Sequence, residues 1–348
     1  MKKTILLLSG ILLISLFSSN LFAQDEEVTS TIKKEFNVNA DALLKAKNKY
    51  GEIRIENWDK NQVAFDVEMQ VVANTKEKAN KVLKDIKVNI SGSKDLVEAY
   101  VDLSDVKCKN DCNYEVIMNI MMPASMHVDL LMEYGKLHAE EISGEAKIGV
   151  KYGVLNIIAL NNNDVELFLK YSSASINRLN KAKMEIAYSE FSVGQAASMA
   201  VESEYSQLEA ENIRSIELES QYDEIDIDEC FSFAMDSKFT HVEIDELSKD
   251  LMVEMKYGNL EVENINKNFN KIHINTEYAN ASIGIDSDAS YTLEAEAKYG
   301  SVNYPKDEAK VSKETEGYTK FYYSGTVGEE TSPQSEVIIK CKNANVNL

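Results

Sequence analysis

Three prolines and one tryptophan occur in 348 residues, and Lys plus Arg number 37 against 58 Asp plus Glu. The net charge of −21 argues against nucleic acid or an anionic membrane surface as partner, since both would repel the chain. Four cysteines, Cys108, Cys112, Cys230 and Cys341, are too few for a disulfide framework in a chain of this length. The four histidines, at 127, 138, 241 and 273, are scattered. No His-x-x-x-His pair, nucleophile elbow or phosphate-binding loop occurs, so the usual signatures of metal, acyl-transfer and nucleotide chemistry are missing.

One long apolar run is present, and it is at the start. Lys2 and Lys3 precede Ile5–Phe17, which is too short to span a bilayer comfortably, and Ala23 then offers a small residue for cleavage. Residues 1–23 read as a secretory signal peptide. No cysteine follows the run to carry a lipid, and no later stretch is apolar enough for membrane insertion. The expected location of the mature chain is the periplasm or the cell surface.

Beyond residue 23 the dominant signal is repetition. Tyrosines recur at 134, 152, 171, 188, 205, 222, 257, 278 and 299, with Phe239 in the one gap, at spacings of 17 to 21 residues. Each marker is followed by a small or turn-favouring residue: Gly135, Gly153, Ser172, Ser189, Ser206, Asp223, Thr240, Gly258, Ala279 and Gly300. Taking the marker as position zero, −4 and −2 are mostly apolar (Ile148 and Val150, Val253 and Met255). Positions +3 and +5 are apolar (Phe191 and Val193, Ile225 and Ile227), and so is +8 (Leu179, Ile213, Cys230). Alternation at period two means strands with one buried face. The phase flips just after the marker, as it would if the chain turned a corner there.

Each repeat is therefore one coil of two strands and a short third side, too small to bury itself and obliged to stack on its neighbours. Leucine-rich repeats need longer units and an Asn ladder, and paired helices contradict the alternation. The expected fold is all-β: a parallel β-solenoid, taken as right-handed, of about ten stacked coils of 17–21 residues, roughly 48 Å long at ~4.8 Å per coil. The marker rings share parity with the apolar −2 and −4 positions, so the tyrosines are expected to point inward as a packing column rather than outward as a sugar-binding platform. Ser206→Ala is expected to matter little on this reading.

Both ends depart from the repeat. Residues 24–122 are expected to form an N-terminal β/α cap. It contains an early copy of the repeat at Tyr50-Gly51, a helix over Thr75–Ile86 with Thr75 as its cap, and strands at Val63–Val71, Lys87–Ile90, Leu96–Leu103 and Tyr114–Met122. Residues 123–304 hold the solenoid repeats. Residues 305–348 are expected to close the other end with a strand at Tyr318–Val327 and a last coil. In that coil Val337, Ile339 and Cys341 alternate and Cys341 takes the marker column.

The segment Met121-Met122-Pro123-Ala124-Ser125, followed by Val128-Asp129-Leu130 and Tyr134-Gly135-Lys136-Leu137, resembles the putative-adhesin β-strand-repeat family of Gram-negative envelopes. Tyr50-Gly51-Glu52-Ile53-Arg54-Ile55-Glu56-Asn57-Trp58 is similar to that family's opening repeat. The resemblance implies an envelope-associated β-helix and carries no catalytic residues with it.

Two candidate sites remain. Cys108 and Cys112 lack further ligands nearby for a metal, and a local disulfide is the expectation. The second is an acidic strip. Val201–Glu263 holds nineteen Asp/Glu against four Lys/Arg, and outward positions +4 (Glu209, Asp226, Glu243, Glu261) and +6 (Glu211, Asp228, Asp245, Glu263) align in two columns. A solvated face is the plain reading. Weak Ca²⁺ binding or docking of a basic partner is the alternative, and no other cofactor is expected. Carboxylates in repetitive columns, with no loop insertion to build a cleft, argue against an enzyme, including the glycan-active enzymes built on β-helices. The expected role is a binding or adhesion-like module whose long outer faces meet an envelope protein or a glycan, with a scaffold or sensing partner as the alternative.

Overall fold

The computed structural model describes residues 25–108 and 111–348. The expected signal peptide, residues 1–23, lies outside the described residues.

Described residues are mostly strand, with one α-helix and one short 3-10 turn among them. Repeats stack in parallel and in register. Phe191 lies opposite Leu208, Val193 opposite Ala210, Ala196 opposite Ile213, Met199 opposite Ile216 and Val201 opposite Leu218. The next coil continues the columns with Ile225, Ile227, Cys230, Phe233 and Met235. All of these side chains are buried. Each large one removed from water contributes about 1.5–3 kcal/mol, and it gains that only because its own column neighbours cover it. At Phe239 and Tyr257 the strand Glu224–Ile265 runs on uninterrupted, whereas the strands break at the corners of Tyr188, Tyr205 and Tyr222.

The corner itself overturns the inward reading of the tyrosines. Tyr50 and every marker from Tyr134 to Tyr299 adopt a left-handed backbone, with φ between 50° and 59°. A left-handed residue swings its side chain out of the strand's alternation, so parity counting fails at that position. The inward slot passes to the following residue, and Ser172, Ser189, Ser206, Asp223 and Thr240 are the buried ones. The rings stand outside. From Tyr50 to Tyr278 they are 38% to 50% exposed, stacked at centroid separations of 4.7–5.2 Å and tilted by no more than 20°. Each stacked pair is worth about 0.5–1.5 kcal/mol, comparable to the roughly 1–2 kcal/mol that a left-handed residue costs.

This predicts an unusual ranking at Tyr205. Glycine, alanine and valine all lose the stacking on Tyr188 and Tyr222, but only glycine relieves the backbone. Tyr205→Gly is expected to be the most stable of the three, by about 1 kcal/mol over Tyr205→Ala, with Tyr205→Val the worst. Denaturation midpoints in urea measure this, and the ordinary strand order, with valine best, would refute the left-handed corner.

The residue after the marker also does more than permit a turn. The amide of Ser172 donates to Ser189 Oγ at 3.0 Å, that of Ser189 to Ser206 Oγ at 3.1 Å, and that of Ser206 to Asp223 Oδ1 at 2.7 Å. Ser206 Oγ in turn donates to the Glu204 carbonyl at 2.8 Å. Ser206→Ala therefore orphans a buried amide, at a cost of about 1–3 kcal/mol, and the expectation of a small effect does not stand.

At the first end the parallel stack gives way to antiparallel strands. Gly51–Asn57 pairs in parallel with the coil at Gly135–Ala139 on one side and with Val116–Met122 on the other. Cys112–Met122 then pairs antiparallel with Gln62–Ala73, which pairs antiparallel with Glu26–Asn37. The helix Lys76–Asp85, capped by Thr75 Oγ1 accepting from the Lys78 amide at 3.3 Å, packs Ala79 and Val82 against this layer. Strand Glu26–Asn37 was not anticipated. Its inner residues are only half-buried, and Lys33, Lys34 and Glu35 break the apolar alternation, as suits an outermost strand.

The other end is threaded. Strand Ser335–Lys342 lies between Lys271–Glu277 and Tyr291–Lys298, parallel to both, and the hairpin Ala309–Glu316 with Lys320–Val327 covers the outside of Tyr291–Lys298. The final coil is thus not the outermost layer. Register also corrects its marker: Cys341 sits opposite Thr276 and Ala297, two residues before Tyr278 and Tyr299, and Asn343, with φ 51°, is the left-handed residue. Asparagine tolerates that conformation better than most residues, and it brings no ring. Its layer separates Tyr278 from Tyr299.

Candidate functional site

Cys108 and Cys112 form a disulfide, with Cα atoms 5.5 Å apart. Cys230 and Cys341 are buried free thiols, and burial pushes their pKa up to about 12 and about 11 respectively, so neither is a thiolate nucleophile near neutrality.

The acidic strip faces out, Asp245 alone of the eight being half-covered. In the +4 column Glu209 and Asp226 are direct neighbours, and the column ends at Ser192 on one side and Ser282 on the other. The +6 residues Glu211 and Asp228 fall outside the pairing, at a second corner between the paired positions Ala210–Ile227 and Asn212–Glu229. Glu243 and Glu261, and Asp245 and Glu263, hold the same offsets in the next two coils. Among the described residues, no group of three or more His, Cys, Asp or Glu side chains is placed to hold a metal ion. The strip is a row of carboxylates that face solvent.

A second acidic column runs down another face and went unread in the sequence. Counting backward from the marker, position −3 holds Glu185, Glu202, Glu219 and Asp236 as successive register neighbours, and Glu254 holds the same offset from Tyr257. The repeat frame contains this signal, on the opposite side of the marker from the outer strip. Beside it, position −5 carries Ala200, Ala234 and Met252, the last 47% exposed. Lys183 and Glu217 hold the same position in their coils, and a groove of about 970 Å³ runs along the face, lined by seven carboxylates against two lysines. Neighbours along the column are ~4.8 Å apart and repel by roughly 0.9 kcal/mol per pair in water before screening, so a bound cation lowers the energy of the groove.

The ring ladder presents something different. Face-to-face stacking covers the flat faces that a sugar ring would stack on, leaving ring edges and phenol oxygens in solvent.

One buried acid lies at this corner. Asp223 Oδ2 accepts from Ser220 Oγ at 2.6 Å and from the Gln221 amide at 3.1 Å, yet burial raises its pKa despite these hydrogen bonds. A raised folded-state value means that the folded chain binds the proton more tightly. The stability this gives is present below the ordinary carboxylate pKa and is lost as pH rises through the raised value. Asp223→Ser, which restores the serine of the preceding coils, is expected to gain stability over the unaltered chain across that window and to level off above it. Thermal midpoints across the acid range measure the difference, and a pH-independent gap would contradict the assignment.

No curated protein matches the chain in sequence. Similar solved structures include a putative cell adhesion protein from Clostridium sporogenes, with 12% identity over 93% of this chain and 98% of that one and a TM-score of 0.17. Others are putative adhesins from Bacteroides fragilis (10% identity, 91% and 96% covered, TM-score 0.26) and Parabacteroides merdae (8% identity, 74% and 91% covered, TM-score 0.26). Residues 179–330, from the central coils through the hairpin that covers the far end, match the family described as Toastrack DUF4097.

Proposed function

We propose that this chain is exported to the cell envelope and serves there as a non-catalytic binding module that holds a basic polypeptide segment along the groove beside the −3 column. What supports the reading is the groove itself: seven carboxylates against two lysines, arranged around an apolar floor that includes the exposed Met252. A basic segment with apolar residues would relieve the repulsion along the column and cover that floor. The outer strip at Glu209–Glu263 is exposed and acts as a solvated face.

Binding of short poly-lysine peptides, measured by calorimetry, tests this. Glu202→Gln/Glu219→Gln/Asp236→Asn is expected to weaken binding by about tenfold or more at low salt, with the effect shrinking as salt rises. Asp226→Asn/Glu243→Gln/Asp245→Asn removes the same charge from the outer strip and should change binding far less. Equal losses in the two variants would reduce the groove to net charge alone.

A further inference from the structure

The layer Ser335–Asn347 is out of sequence order. Its two neighbours, Lys271–Ile285 and Tyr291–Asn303, are consecutive in the chain and joined by residues 286–290, yet the layer separates them. Val337 lies opposite both Ile272 and Leu293, Ile339 opposite Ile274 and Ala295, and Cys341 opposite Thr276 and Ala297. The two walls of the slot are therefore in matching register with each other as well as with the layer between them. A connection of seven residues, 328–334, leads into the layer. Its central residues 329–332 are exposed.

We propose that this layer exchanges between two copies of the chain, the Ser335–Asn347 coil of each filling the slot of the other. The side chains argue for that occupant over a foreign peptide. His273 Nε2 meets Glu336 Oε1 at 2.8 Å, and Lys342 pairs with Glu277. Ser301 Oγ donates to Asn345 Oδ1 at 2.8 Å, and Asn303 Nδ2 to Asn347 Oδ1 at 2.7 Å. Ser335 Oγ donates to the Phe269 carbonyl at 2.6 Å. These partners recognise the sequence of this segment position by position along its length. Exchange makes the same contacts in trans as in cis, so the balance is set by concentration and by the reach of the 328–334 connection. The layer lends Ile338 and Lys340 to one end of the acidic groove, but none of the contacts above needs a basic partner.

The register supplies a covalent reporter. Thr276 and Cys341 are direct neighbours, so Thr276→Cys, combined with Cys108→Ser, Cys112→Ser and Cys230→Ala, leaves two thiols, placed where a disulfide closes between slot and strand. The full chain is concentrated and warmed under reducing conditions, then oxidised and run on a non-reducing gel. Exchange gives a covalent dimer whose share rises with protein concentration. Deleting residues 329–332 shortens the connection, disfavours the chain's own slot and is expected to raise the dimer share several-fold. Light scattering of the same deletion without the added cysteine gives a second reading, with a dimer expected and a dimer lost on adding Ile339→Asp. Crosslinks confined to the monomer, together with a monomeric deletion variant, would overturn the proposal. If the deletion variant loses its β circular dichroism, the crosslink in the intact connection decides alone.

Discussion

Ile225→Asp is expected to destabilise the chain by about 3–5 kcal/mol, enough to unfold the central coils in mild denaturant. Ile225 is 1% exposed and lies directly opposite Leu208 in its column. Its register neighbour is apolar, so the carboxylate must either stay charged in an apolar stack or take up a proton at neutral pH. Disruption should also spread, because a coil's inward residues are covered mainly by those of its two neighbours. Urea unfolding followed by circular dichroism gives the number. Asp226→Ile, one residue along and outward, is the matched control and should shift the midpoint by well under a third as much. Similar losses in both would mean that the inward and outward assignments are wrong.

Removing everything before Pro123 is expected to drive the chain into aggregates. The deletion strips Leu43–Ile55 from its pairing with His127–Ala139 and opens one full turn of parallel strand edge, with Val128, Leu130 and Leu137 newly uncovered at the end of the stack. In the intact chain that edge is closed by a switch to antiparallel strands, by the charged outer strand Glu26–Asn37 and by the helix packed beside it. Size-exclusion chromatography with light scattering at increasing concentration reads the outcome. A soluble monomeric truncation would make residues 24–122 an independent domain rather than a cap.

The repeat was readable because its evidence is local and redundant: every coil restates the same alternation at −4, −2, +3, +5 and +8. The helix was equally plain, with Thr75 at its cap and Ala79, Val82 and Ile86 on one face. What escaped depends on facts that a one-dimensional pattern does not carry. The outward turn of the tyrosines follows from a single backbone angle at the marker. Parity, which assumes extended residues throughout, pointed the other way.

Asn343 escaped for a related reason. The marker was defined by its ring, whereas the structure selects a residue that tolerates a left-handed backbone. Insertion of Ser335–Lys342 between two earlier strands is a non-local pairing, and no feature of those eight residues alone distinguishes it from stacking on the outside. The −3 column was legible in principle, since it needs only the repeat frame. That a groove opens beside it, where Ala200 and Ala234 line the face, is visible only in three dimensions.

The stacked rings are also a row of chromophores. From Tyr50 to Tyr278 they are held nearly parallel at 4.7–5.2 Å, close enough for the electronic transitions of adjacent rings to couple. Such coupling falls with the cube of distance, so it weakens steeply when coils part. Near-ultraviolet circular dichroism of the tyrosine band is thus an internal gauge of coil-to-coil register in the row from Tyr50 to Tyr222, beyond which Phe239 interrupts the phenols. A break at any one coil splits the row into two shorter ones with a weaker collective signal, while the backbone signal of the strands on either side stays as it was.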